Sequence, residues 1–349
     1  MAKFNYQESQ KYKWKTQADA IIQELPEWTH EFFKNHCRDT HGYSERTVLG
    51  YATDMRTFFQ YLLQVNPLFK GSMKNITSEM MDQLVYQDLQ DYISYVGAYT
   101  GANDEPRTNG ATGKNRKVAA LRSFYNYFYA IKVFSNNPAS ILVAPKIKKK
   151  PIIYMDRDET AQLLDEIDTL DGLSEKLKKS SARSQYRDKA IVTLLLGTGI
   201  RVSELVGISL TDISWKNRAI RIVRKGADEQ VIYFNEDVDA ALREYINNER
   251  KTPKEDMDAL FVSQKGTRLT TRSVERMLKK YVSTALPQKH ITPHKCRSSY
   301  ASALYKANSD VYMVADALGH KSLEMAKKYA AIDEERRKEA ANLVDWTHS

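Results

Sequence analysis

The chain has 349 residues, 42% of them hydrophobic, which is more than one core usually spans and enough to fill two. No run of about 18 apolar residues occurs, which excludes a membrane-crossing helix, and two cysteines, Cys37 and Cys296, exclude a disulfide framework in favour of reduced thiols. A net charge of +9 and a pI near 9.2 favour a polyanionic partner, of which nucleic acid is the commonest. The polar start, Met1 to Gln7, lacks the apolar stretch of a signal peptide, and neither end carries a strongly basic amphipathic helix. A cytoplasmic protein with no membrane partner is therefore expected.

In chain order, residues 1–25 read as an N-terminal extension and 26–143 as a helical domain. Tyr51, Met55, Phe58 and Leu62 recur at helical spacing and share one face, as do Val118, Leu121, Phe124 and Phe128. Between these faces lie a further helical stretch, Met80–Tyr95, and a polar loop, Gly101–Gly113. Lys114, Arg116, Lys117 and Arg122 open the last helix and face either phosphates or solvent; they are DNA-binding candidates. The aromatic residues Phe124, Tyr125, Tyr127 and Phe128 are assigned to core rather than to base stacking. Residues 144–155 form a basic linker. Pro145 and Pro151 discourage helix there, and Lys146, Lys148, Lys149 and Lys150 either rest on a DNA backbone or are simply solvated.

The second domain is placed at 156–332. Asp156-Arg157-Asp158-Glu159 is a capping box that opens a helix over Glu159–Ile167. Thr169–Tyr186 is polar and read as a loop with some local helix, and Asp188–Leu196 as an apolar helix ended by Gly197 and Gly199. Around Lys225-Gly226-Ala227-Asp228, the residues Ile220, Ile222, Val231 and Tyr233 alternate with polar ones, a hairpin signature. From Val238 the pattern is helical again. The expected fold class is mainly α (α+β), a helical domain followed by a mixed helical domain with a small antiparallel sheet.

The chemistry-bearing residues lie in this second half. Thr292-Pro293-His294-Lys295-Cys296-Arg297 starts a helix, with Thr at the N-cap and Pro in the first turn, and a helix N-terminus suits a phosphate. His294 and Arg297 are three apart and share a face, although two basic residues on a surface helix look the same. Arg201 comes after the Gly197-Thr198-Gly199 turn and precedes Glu204, which either orients its guanidinium or forms an ordinary surface ion pair with it. Lys225 sits at the hairpin turn, where lysine is usually solvated. His320 stands next to Gly319, a helix C-cap, and Tyr329 is one of 21 tyrosines. Each residue has an ordinary reading alone, but together they have the composition of a phosphodiester-cleaving site.

From about Asp156 to Ile332 the chain resembles the catalytic domain of the tyrosine recombinases, the phage integrases and Xer-type recombinases. The matching stretches are Thr198-Gly199-Ile200-Arg201-Val202-Ser203-Glu204-Leu205, Arg224-Lys225-Gly226, Thr292 to Arg297, and Leu318-Gly319-His320 with Tyr329 nine positions beyond. Tyr43–Leu63 and Lys114–Pro138 resemble the helical, SAM-like core-binding domain of that family. Cys296 stands where leucine is usual, and Thr169–Tyr186 is longer than in compact members.

The resemblance implies the tyrosine recombinase fold and a set of roles. Tyr329 is the nucleophile, Arg201 and Arg297 hold the scissile phosphate, and His294 is the base or a phosphate hydrogen-bonder. Lys225 is the acid for the leaving 5′ hydroxyl, His320 a hydrogen-bond donor to the phosphate, and Glu204 the accessory acid. These six catalytic residues and Glu204 suit a reaction in which fixed cations stabilise charge on non-bridging oxygens. The implied activity is site-specific DNA recombination through a 3′-phosphotyrosyl intermediate in a synaptic tetramer. The implied substrate is double-stranded DNA with an inverted-repeat site, used in mobile-element integration or excision or in chromosome-dimer resolution. A directionality factor or a second recombinase is a further implied partner.

No Asp/Glu cluster or His/Cys spacing suggests a metal, so no cofactor is expected and cleavage should proceed in EDTA. The competing readings are a type IB topoisomerase-like nicking-closing enzyme and a non-catalytic DNA-binding regulator that uses Val314–Tyr329 as a helix-turn-helix. The tail, 333–349, has a charged run and then Ala340, Ala341, Leu343, Val344 and Trp346 at helical spacing. It docks either on a neighbouring protomer or on its own domain.

Overall fold

The computed structural model describes residues 6–100, 105–147, 151–224, 229–253, 258–319 and 322–330, and divides within the basic stretch into Met1–Lys149 and Lys150–Ser349. Lys148, Lys149, Lys150, Lys225, His320 and the tail 333–349 lie outside the described residues.

The first unit is helical: α1 (Tyr6–Ile22), a π-helical segment (Phe32–Thr40), α2 (Glu45–Val65), α3 (Ser78–Asp82), α4 (Tyr86–Tyr95) and α5 (Ala111–Ala130). Ser44 caps α2 by accepting from the Thr47 N–H at 3.3 Å. The expected faces are the buried ones: Met55, Phe58 and Leu62 on α2 and Val118, Leu121, Phe124 and Phe128 on α5, with Tyr51 at the core's edge. Trp28 stacks edge-on against Phe128, at 4.9 Å between ring centroids, and donates its indole N–H to the Ile76 carbonyl.

Three expectations for this unit need correction. The described part of the N-terminal extension, residues 6–25, belongs to the helical unit itself, because α1 packs on α2 and Ala18, Ile22 and Leu25 are buried in the same core. Met80–Tyr95 is two helices with a break at 83–85. The stretch 101–113 is not all loop, since Pro106–Thr108 (β2) pairs antiparallel with Ala98–Thr100 (β1) and α5 begins at Ala111.

The second unit contains α6 (Arg157–Thr169), α7 (Glu175–Ser181), α8 (Gln185–Thr198), α9 (Val202–Leu205), β3 (Ile213–Ser214), β4 (Ala219–Val223), β5 (Glu229–Tyr233), α10 (Glu236–Asn248), α11 (Thr271–Ala285), α12 (Pro293–Asn308), α13 (Val311–Leu318) and α14 (Glu324–Ala330). The Asp156–Glu159 capping box forms in both directions, each bond 2.9 Å. The apolar helix α8 is the hub of the unit, packed by α6, α10 and α12. It runs through Gly197 and ends at Gly199, which takes the left-handed conformation at φ 61°.

The three strands form an antiparallel sheet in the order β3-β4-β5. Ile220 pairs with Ile232 and both point inward, whereas Val231 and Tyr233 lie opposite Arg221 and Ala219 and are exposed. The hairpin is therefore as expected, but β5 does not alternate apolar with polar: Ile232, between Val231 and Tyr233, is the inward residue, with Phe234 buried beyond it. The stretch 169–186, expected to be mostly loop, is tied down. It contains α7, buries Leu173, Ser181 and Ser184, and receives Lys280 Nζ on Ser181 Oγ at 2.7 Å.

Candidate active site

Arg201 is held in place by Glu204, three residues later. Arg201 occupies the N-cap of α9, and Glu204 bonds back to it twice: Oε2 accepts the Arg201 backbone N–H at 3.0 Å and Oε1 the guanidinium at 2.8 Å. Glu204 is buried while the Arg201 side chain is 40% exposed. One side of the guanidinium is thus anchored and the side chain remains accessible to a ligand.

Arg297 reaches the same place from α12. Pro293 sits in the first turn as expected, although Thr292 makes no side-chain cap bond. Arg297 is almost wholly buried and donates to the carbonyls of Gly199, at 2.6 Å, and Leu318, thereby joining the C-terminal ends of α8 and α13. Two of the five N–H groups of a guanidinium are committed in this way, and the cation lies at the negative ends of two helices. Burial and the nearby Arg201 lower the Arg297 pKa to about 10, with Arg224 adding to the effect and Glu204 and Tyr329 opposing it; the group is still charged at neutral pH. Gly199 allows this convergence on two grounds. Its φ is positive, and a Cβ there would come within 2.5 Å of Tyr300 and 2.9 Å of Leu318.

His294, one turn before Arg297, is exposed on one side and crowded by cations on the other. Partial burial lowers its pKa first, and Lys328, Lys295, Arg297 and Arg201 lower it further. The neutral imidazole, which can accept a proton, is thereby favoured. Tyr329 lies on α14, where it and Ala326 pack with Ala301, Tyr305, Val314 and Leu318 of α12 and α13, leaving the tyrosine 3% exposed. Lys328 Nζ lies 5.1 Å from its ring centroid. Two cations of this site stood outside the sequence-based set. Lys328 carried no signal beyond its adjacency to Tyr329, and Arg224 stood only in the matching stretch Arg224-Lys225-Gly226, with no role assigned to it.

The structure therefore gathers Arg201, Glu204, His294, Arg297 and Tyr329 into one unit from helices spread over more than a hundred residues. The DNA-binding candidates of the first unit separate. Lys117 is 3% exposed and donates to Asp54 at 2.8 Å, so it is a buried structural cation and not a phosphate-facing one. Arg122 is likewise turned inward, donating to the Leu142 carbonyl at 2.6 Å. Arg116 holds the other Asp54 oxygen at 2.6 Å, as a charge contact whose angle is not that of a hydrogen bond, and stays half exposed. Lys114 packs along Gly97 and is partly exposed, and Lys146 is exposed. Both cysteines are buried and unpaired; burial raises each thiol to about 12, and Cys296 simply fills space in α12. Among the described residues no group of three or more His, Cys, Asp or Glu side chains could hold a metal ion, and no helix is long and apolar enough to cross a membrane.

Comparison with known proteins places this arrangement. The phage integrase family matches residues 154–336. The tyrosine recombinase XerC of Caldanaerobacter subterraneus subsp. tengcongensis is 31% identical over 322 residues, covering 89% of this chain and 85% of that protein. The chain belongs to the phage integrase family of tyrosine recombinases. The XerC of Myxococcus xanthus is 28% identical to this recombinase, covering 86% of the chain and 92% of that protein. Among solved structures, XerH site-specific recombinase bound to palindromic difH substrate has a TM-score of 0.62 at 22% identity, over 88% of this recombinase and 83% of that chain. The Tn1549 transposon integrase in complex with transposon right end DNA has a TM-score of 0.63 at 18% identity, over 90% and 99%. At these identities the structural likeness establishes the fold.

Proposed function

We propose that this protein is a site-specific recombinase that cuts and rejoins double-stranded DNA, with Tyr329 as its nucleophile. The observation that carries the reading is that Arg201 and Tyr329 both act electrostatically on the buried Arg297, with His294 held toward its neutral form. The phenol Oη attacks phosphorus and the P–O5′ bond breaks. The electron pair goes to O5′, leaving a 3′-phosphotyrosyl link that preserves the bond energy for rejoining. Arg201 and Arg297 neutralise the non-bridging oxygens, where the transition state gathers charge, and forked guanidiniums suit that geometry better than lysine. A phenol attacks as its oxyanion and so needs a base near neutral pH, and His294 takes that proton. Lys225 is the proposed acid and His320 the second donor to the phosphate, on the residue-by-residue resemblance to the family. The domain roles rest on the same resemblance: residues 26–143 bind DNA together with α1, 144–155 link, and 156–332 catalyse.

A tetramer assembled on an inverted-repeat site in the cytoplasm is part of this reading, as is docking of the tail 333–349 on a neighbour. A directionality factor or second recombinase belongs to it too. The topoisomerase-like alternative is disfavoured by the similarity to XerC proteins over most of their length. A non-catalytic regulator would leave the Arg201–Glu204–Arg297 cluster without a task.

The test uses a nicked suicide substrate that carries the bound site, obtained by selection from genomic fragments. Wild type should trap a covalent protein–DNA adduct in EDTA, and Tyr329→Phe should bind the same DNA with no adduct. Adduct formation by Tyr329→Phe, or none by wild type, would defeat the proposal.

A further inference from the structure

Arg224 closes β4, where an arginine beside a hairpin turn is ordinarily solvated, yet its side chain is only 11% exposed. Its Nε lies 3.9 Å from Glu204 Oε1, the same oxygen that Arg201 holds at 2.8 Å. A Cβ built on Gly319 would fall on the Arg224 guanidinium, so the glycine that ends α13 in the left-handed conformation is also the seat of this side chain. The Nε is buried without a hydrogen-bond partner among the described residues. Desolvation lowers the Arg224 pKa and Arg201 lowers it too, while Glu204 and the exposed Asp316 raise it. Three guanidiniums thus crowd around one buried carboxylate.

This arrangement has an electrostatic consequence. With Arg201 and Arg297 alone, Glu204 would cancel one of two positive charges. Arg224 offsets Glu204, so the full charge of both phosphate-facing arginines is available to an anion. We propose that Arg224 is a positioning residue of the transfer reaction, which shares Glu204 with Arg201 and sets the excess positive charge of the phosphate pocket from its seat on Gly319. The proposal rests on the phosphotyrosyl reading above.

A neutral scissile group tests it. Single-turnover cleavage is measured on a normal phosphodiester and on a methylphosphonate, which lacks one charged non-bridging oxygen. Arg224→Ala should slow phosphodiester cleavage about 10- to 100-fold, less than loss of a direct donor. Site binding should change by no more than about twofold, as expected when one of many phosphate-neutralising charges is lost. Arg224→Lys, which keeps the charge, should recover most of the rate. On the methylphosphonate the gap between wild type and Arg224→Ala should shrink to about threefold or less, because there is less charge to neutralise. Cleavage by Arg224→Ala at the wild-type rate, or an equal loss on both substrates, overturns the inference. If wild type forms no adduct on the phosphodiester, the phosphotyrosyl reading itself fails and takes the inference with it.

Discussion

Asp54 in the first unit and Glu204 in the second are both buried carboxylates with two cationic partners, and their surroundings differ in what they leave open. Asp54 gives one oxygen to Lys117 at 2.8 Å and the other to Arg116 at 2.6 Å, so each oxygen meets its own cation. Desolvation raises the Asp54 pKa and those two cations pull it back, as in a closed structural cluster. Glu204 instead shares one oxygen between Arg201 and Arg224, with Arg297 close enough to act on it and the His294 pKa lowered. The first cluster carries one cation in excess, on the half-exposed Arg116. The second carries one in excess on Arg201 and Arg224 and, counting Arg297, a second, which is the feature that fits the proposed phosphate pocket.

The comparison breaks most readily at Asp54. Asp54→Ala strands Lys117 in the core and should cost about 3–5 kcal/mol in urea denaturation, whereas Asp54→Leu with Lys117→Met should recover most of it. The fraction of Asp54→Ala that stays folded should still form the Tyr329 adduct. A stable Asp54→Ala protein would mean that the cluster is not closed. Arg297→Ala is the counterpart in the open cluster. It should lower cleavage on the order of 10²–10³-fold, the range seen when one transition-state donor is removed, and also loosen the ends of α8 and α13 that it ties. Cleavage that survives this change would remove Arg297 from the phosphate pocket.

The smallest effect expected concerns pH. On the proposed mechanism His294 must be neutral to accept the phenol proton, so cleavage should fall as pH drops through its pKa, which partial burial and then the neighbouring cations hold below the ordinary 6.5. Lys328→Met removes one of those cations, lets the pKa rise, and should move the acid limb of the pH–rate profile to higher pH. An unmoved limb would mean that His294 is not the group that titrates.

The readings that held in the structure were local ones. The capping box at Asp156, the C-caps at Gly199 and Gly319 and the buried faces of α2 and α5 arise from residues within a turn or two of one another. The Arg201–Glu204 pair was legible for the same reason, since a spacing of three on a helix start brings the groups together. Lys117 and Arg122 failed as surface candidates because the Asp54 carboxylate and the Leu142 carbonyl that capture them lie 63 and 20 positions away. The alternation expected around Val231 and Tyr233 does not hold in β5, because the apolar Ile232 between them pairs with Ile220 on the inner face and turns both outward.

Sequence by itself determined the helical character of both units, the hairpin, and the residue types from which a phosphate site can be built. All of these depend on short-range geometry and on charge. Only the tertiary structure decided which cations belong to that site. It closed Lys117 onto Asp54, brought Arg297 to the carbonyls of Gly199 and Leu318, and seated Arg224 over Gly319. A charge acquires its role from the groups that surround it after folding, and those groups come from distant parts of the chain.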